Sequence, residues 1–159
     1  MIWEGLEEEL IVNGIEAKDS TEVLKVMGEM VIKAGYAKES YVDALIKRES
    51  EFPTGLDIGG FGIAIPHTDV SHVNKAATAV GVLKEPVDFI QMGTDDELVK
   101  VNIVFMLAVD DPKAHISTLQ RLIEILQDKN TLEKLKAAKE SADIIAVIRQ
   151  KELELEKAS

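Results

Sequence analysis

The chain of 159 residues has no cysteine, no long apolar run and no basic stripe, and each absence removes a class of function. Without cysteine there are no disulfides, no thiolate nucleophiles and no thiolate metal sites. Histidine is left as the natural nucleophile near neutral pH, and the chain carries three: His67, His72 and His115. No stretch approaches the roughly 18 apolar residues of a membrane-spanning helix. Met1-Ile2-Trp3-Glu4 lacks the positive start of a secretory signal, so a cytoplasmic protein is expected. Lys and Arg number 18 against 29 Asp and Glu, giving a formal net charge of −11 and a pI of about 4.7. That field repels nucleic acid. It favours a basic face on a protein partner, through encounter rate and selectivity more than affinity. Much of the acidity lies in Glu4 to Glu9 and Glu152 to Glu156, where it is expected to solvate exposed ends. Internal repeats and low-complexity linkers are also missing, and 46% apolar composition at this length suits one ordinary domain with a real core.

What is present falls into helices, strands, then helices. Asp19-Ser20-Thr21-Glu22 reads as a helix cap, followed by Val23, Met27, Met30, Val31 and Ala34 on one helical face and by Gly35 as the stop. Ser40 and Asp43 start a second helix that carries Tyr41, Leu45 and Arg48 and finishes near Ser50. Arg48 then sits in a last turn, where a cation suits the negative end of the helix dipole. Glu51 to Gly60, with Pro53, Gly55, Gly59 and Gly60, reads as a loop. Gly62–Ile65, Ala76–Leu83 and Val101–Val109 are apolar runs of strand length. A helix from near Lys113 sets Ile116, Leu119, Ile123 and Leu126 on one side, with His115 in its first turn; shorter helical patterns cover Leu132–Ala138 and Ala142–Ile148. The fold class expected is α/β (α+β): a single domain with a mixed sheet of about five strands sandwiched by helices.

The stretch with most chemical promise is Gly62-Ile63-Ala64-Ile65-Pro66-His67-Thr68-Asp69. Proline cannot donate to a sheet and disfavours the helical region for Ile65, so pairing is expected to stop at Pro66 and leave His67 on the exposed crest. Ligands in open α/β sheets gather at such crests. A neutral imidazole can attack phosphorus with one nitrogen while an acceptor holds the other N–H; Asp57, Asp69 or a main-chain carbonyl can fill that part. Phosphoryl transfer then needs positioning and donors for charge spread over equatorial oxygens. Glycine amides at Gly59, Gly60 and Gly62, the Arg48 fork and His115 are the candidates.

Each also has an ordinary role: a solvated turn histidine, a dipole-complementing arginine, an idle first-turn histidine. The glycine loop lacks the Gly-Lys-Thr ending of a nucleotide P-loop. His67, Asp69 and His72 form an H-x-D-x-x-H cluster with three possible metal ligands, but on no rigid helical face.

Taken together, Arg48-Glu49, Thr54-Gly55, Gly62 to His67, and His115-Ile116 with Leu119 resemble the enzyme IIA domains of the bacterial phosphoenolpyruvate-dependent sugar phosphotransferase system, mannitol/fructose class. The resemblance covers about residues 20 to 150, the expected core of a single type-2 IIA domain spanning 1–159 with acidic termini. It implies that His67 accepts a phosphoryl group from the phosphocarrier HPr and passes it to a cysteine of a IIB partner, for sugar entering through a membrane IIC. It implies further that Arg48 and His115 line the site, and no cofactor is expected. Such sequences commonly have glycine after the active histidine, where this chain has Thr68-Asp69; Asp69 is expected to face outward. Phe52-Pro53-Thr54-Gly55-Leu56 with His67-Thr68-Asp69 looks closest to the galactitol branch. The alternative is a regulatory phosphohistidine module of the nitrogen-related type, without sugar transport. A shallow apolar ground for partner docking is sought among Phe61, Ile63, Ile65 and Phe89, with burial the expected fate of Ile63 and Ile65.

Overall fold

The computed structural model describes residues 1–158. Five strands, β1 (Leu6–Ile15), β2 (Gly55–Ile58), β3 (Phe61–Ala64), β4 (Ala77–Ile90) and β5 (Leu98–Ala108), form one sheet in the order β1-β4-β5-β3-β2. Pairing is mixed: β1 with β4 and β3 with β5 are parallel, whereas β4 with β5 and β2 with β3 are antiparallel. Helices α1 (Ser20–Lys33) and α2 (Tyr41–Glu51) precede β2, and α3 (Pro112–Leu126), α4 (Lys129–Ala137) and α5 (Ser141–Ala158) follow β5. Short 3₁₀ turns occupy Ile2–Gly5 and Val70–His72.

Local chemistry explains the helix boundaries. The Asp19 carboxylate accepts the Glu22 N–H at 2.9 Å, and Gly35 leaves α1 through φ 91°, a conformation that costs glycine little. Asp111 caps α3 by accepting the Lys113 N–H at 3.0 Å, and Pro112 loses nothing in a first turn whose N–H groups have no intrahelical partner. Period-2 alternation then divides the core. One side of the sheet packs Leu10, Ala64, Val104 and Met106 against Leu24 and Met27 of α1 and Leu45 of α2. The other packs Ile63, Ile65, Ile103 and Phe105 against Leu122 and Ile125 of α3, Leu132 of α4 and Ile148 of α5. Each such fully buried Val, Leu, Ile, Met or Phe side chain stabilises the fold by roughly 1.5–3 kcal/mol.

Three expectations need correcting. The acidic start does not merely solvate an end: Leu6, Leu10, Ile11 and Ile15 are buried in β1, while Glu7, Glu8 and Glu9 stay exposed on this edge strand, where charge discourages further pairing. At the other end Glu152 is completely buried and accepts the Trp3 N–H at 2.8 Å. The stretch Glu51 to Gly60 is not a loop throughout, because Gly55–Ile58 is a strand and Gly59 and Gly60, at φ 60° and 91°, make a two-residue hairpin turn into β3. The buried stripe of α3 is also rotated: Leu122, Ile125 and Leu126 face the core, and Ile116 is 59% exposed.

Candidate active site

Because β3 and β5 run parallel, their carboxyl ends reach the same edge of the sheet, and each delivers a histidine there. Regular pairing of β3 ends at Ala64, as a proline two residues on demands, yet contact with β5 does not stop. Pro66 still has a carbonyl, which accepts the Leu107 N–H at 3.0 Å, and His67 forms an isolated parallel bridge with Leu107. His67 therefore leaves the sheet from a fixed point. Beyond β5 the chain turns through Asp110 and Asp111 into α3, whose first turn carries His115. The His67 and His115 rings lie 4.6 Å apart between centroids, tilted by 46°.

Arg48 arrives from the last turn of α2. Its guanidinium lies 4.5 Å over the Phe52 ring, which fixes the plane of the fork, and its Nε is buried without a hydrogen bond. One terminal nitrogen stands 4.0 Å from Asp69 Oδ1. Asp69 is exposed, as expected, but its carboxylate leans on Arg48 rather than away from it.

The ring nitrogens of His67 are distinguished by one contact. Nδ1 lies 3.0 Å from the Ile65 carbonyl, which can only accept, so Nδ1 carries the proton and Nε2 keeps the lone pair. Of the three possible acceptors, the main-chain carbonyl holds the imidazole. Asp57 instead accepts the Gly60 N–H at 2.8 Å. Burial lowers the pKa of His115, and the nearby His67 and Arg48 lower it further. These shifts favour the uncharged form of His115, which adds no competing charge beside His67 and still offers an N–H.

The glycine amides do not join this site. Gly59 and Gly60 sit at the opposite end of β3, roughly 20 Å from His67 at strand rise. Gly62 lies against β5 so closely that a Cβ there would stand 1.8 Å from the Lys100 carbonyl oxygen. Nor do His67, Asp69 and His72 converge. The His72 ring pairs with Ser40 Oγ at 2.8 Å, and no group of three His, Asp or Glu side chains among the described residues could hold a metal ion.

Of the apolar candidates, Ile63 and Ile65 are core residues as expected, Phe89 is buried as well and Phe61 is half-buried; the exposed apolar side chains near His67, His115 and Arg48 in sequence are Val70, Ile116 and Phe52. Phe52 is expected from sequence only as part of the stretch Phe52 to Leu56, not as a partner of Arg48, although an aromatic residue one turn after Arg48, just before Pro53, is a usable signal. On the far side of His115 a cavity of about 440 Å³ opens between β5, α3 and the N-terminal turn. No helix of the described residues is long and apolar enough to cross a membrane.

Residues 4–151 match the family model described as phosphoenolpyruvate-dependent sugar phosphotransferase system, EIIA 2. The galactitol-specific EIIA component of the Escherichia coli phosphotransferase system is 34% identical over 123 residues, which is 77% of this chain and 81% of that protein. The crystal structure of IIA mannitol from Escherichia coli aligns at a TM-score of 0.75 and 27% identity, over 90% of this chain and 98% of that one. A solution structure of enzyme IIAMTL complexed with phosphorylated enzyme IIBMTL, also from Escherichia coli, aligns at 0.75 and 26%, over 91% and 97%.

Proposed function

The chain belongs to the EIIA 2 family of the phosphoenolpyruvate-dependent sugar phosphotransferase system, and from that premise we propose that His67 takes a phosphoryl group from HPr and surrenders it to a IIB component serving galactitol or a related polyol. Components of this family act as phosphotransferases. The observation that carries the residue assignment is the contact between His67 Nδ1 and the Ile65 carbonyl, beside His115, which itself feels the charge of Arg48.

The lone pair on Nε2 attacks phosphorus in line. An N–P bond forms to His67, the bond to the donor histidine breaks, and its electron pair stays on the donor ring. Arg48 offers N–H groups to the equatorial oxygens; a phosphoryl group carries more charge than the Asp69 carboxylate and competes for the same guanidinium. In the second half-reaction a thiolate of IIB attacks the same phosphorus, forming S–P and breaking N–P. Phe52, Val70 and Ile116 provide apolar ground from which one partner leaves before the next docks, and the acidic body selects partners with basic faces.

Incubation with phosphoenolpyruvate, enzyme I and HPr tests the reading by mass and acid lability of the product. The native chain gains one acid-labile phosphoryl group, His67→Ala gains none, and addition of a galactitol-type IIB discharges it. Label that persists in His67→Ala overturns the site. A phosphorylated chain that no IIB discharges supports the regulatory alternative instead.

A further inference from the structure

The reaction just described leaves unexplained what holds the Ile65 carbonyl in place. Between Ala64, the last regular residue of β3, and the bridge at His67, the chain passes through a proline that has no N–H. The Ile65 N–H turns to the other side and donates to the Thr54 carbonyl at 3.3 Å. Thr54 is almost wholly buried, at 3% exposure, and is itself gripped by Glu49. Its N–H donates to Glu49 Oε2 and its hydroxyl to Oε1, both at 2.7 Å.

We propose that Glu49 is a positioning residue for phosphoryl transfer, fixing the Ile65 peptide through Thr54 and so setting which nitrogen of His67 keeps the lone pair. The inference rests on His67 being the phosphorylated group. Four links carry it: Glu49 to Thr54, Thr54 to Ile65, Ile65 to His67 Nδ1, and Nε2 left for attack. Glu49 follows Arg48 on α2, but the two side chains serve different ends. Arg48 stacks on Phe52 and faces Asp69, whereas both carboxylate oxygens of Glu49 are taken by Thr54. Burial pushes the Glu49 carboxyl up to about 7, outweighing the two Thr54 hydrogen bonds that pull it down. An acceptor held at that cost on a single residue makes a stiff anchor, because releasing Thr54 would leave a half-buried carboxylate unsatisfied.

The test compares Glu49→Ala and Glu49→Gln in the full chain, with HPr-dependent phosphoryl uptake by rapid quench and the His67 ring nitrogens by ¹⁵N NMR. Glu49→Ala should lower the uptake rate about tenfold, with little change in the HPr concentration giving half-maximal rate. It should also move the His67 nitrogens toward a mixture of tautomers. Glu49→Gln, whose amide can accept from the Thr54 N–H and donate to its hydroxyl, should return both readouts to near native. If Glu49→Ala fails to fold, Thr54→Val takes its place, losing the hydroxyl link alone, and a rate and spectrum equal to native overturn the proposal. Native rates and an unchanged tautomer in folded Glu49→Ala do the same. Failure of the native chain to take up phosphoryl on His67 would instead remove the reading beneath it.

Discussion

The two ends of the β2–β3 hairpin are built from different materials and do different work. One end is Gly59-Gly60, a tight turn whose two residues both lie at positive φ. The other is Pro66-His67, where a missing N–H releases the chain from regular pairing and a single carbonyl orients an imidazole. By sequence alone, the glycines of the first end are candidate donors to a phosphoryl group. The structure separates the two by the length of β3, so the glycines shape the hairpin and the proline end supports the chemistry proposed for His67. A run of glycines marks close backbone approach; what approaches can be another strand.

The strongest way to break that division is Gly62→Ala. The new methyl would meet the Lys100 carbonyl oxygen at 1.8 Å, and main chain cannot swing aside as a flexible side chain can. The pairing of β3 with β5 must open, costing ~3 kcal/mol or more. Denaturant unfolding should record that loss, and because the same pairing delivers His67, phosphoryl uptake should fall with it. Native stability in Gly62→Ala would mean that β3 and β5 are not so closely apposed.

Much of this geometry was legible in the chain, and the failures have physical causes. Asp19, Gly35, Asp111 and Pro112 act through local backbone chemistry, so α1 and the start of α3 could be read from neighbours a few residues apart. β5 from Val101 and the first half of β4 are central and apolar on both faces, which leaves an unmistakable run, whereas the exposed Lys84-Glu85-Pro86 hides the second half of β4. β1 is an edge strand with three successive exposed glutamates, and the alternation that announces a half-buried strand is lost there. In β2 only four residues pair, and a glycine opens it. At the site, residue types and order pointed to His67, Arg48 and His115, and the fold brings the two histidine rings together. A main-chain carbonyl was among the acceptors expected for His67, but which one could not be read, because every residue has a carbonyl and only the turn at Pro66 decides which faces the ring.

Arg48→Ala sharpens the comparison from the histidine end. Arg48 is partly exposed, its Nε makes no hydrogen bond and its ion pair with Asp69 is long, so little stability depends on it. Its proposed task arises only when phosphoryl oxygens are present. Removing one such donor should slow uptake about 100-fold while leaving the unfolding midpoint within error of native. Rapid-quench rates and thermal melts on the same preparation separate the two effects. A large loss of stability with a normal rate would make Arg48 a packing residue.

The smallest expected effect tests the glycine end alone. Nothing lies within 4 Å of a Cβ built on Gly60, so Gly60→Ala meets no neighbour; its cost is confined to holding an alanine at φ 91°. Left-handed backbone costs an L-residue about 1–2 kcal/mol, and unfolding measurements should find a loss of that size. The rate of phosphoryl uptake should not change, because the strain is stored in the turn while His67 is held from Ile65 and Leu107 at the other end of the strand. If Gly60→Ala slows uptake as much as Arg48→Ala, the hairpin transmits strain along its whole length, and the two ends are mechanically one.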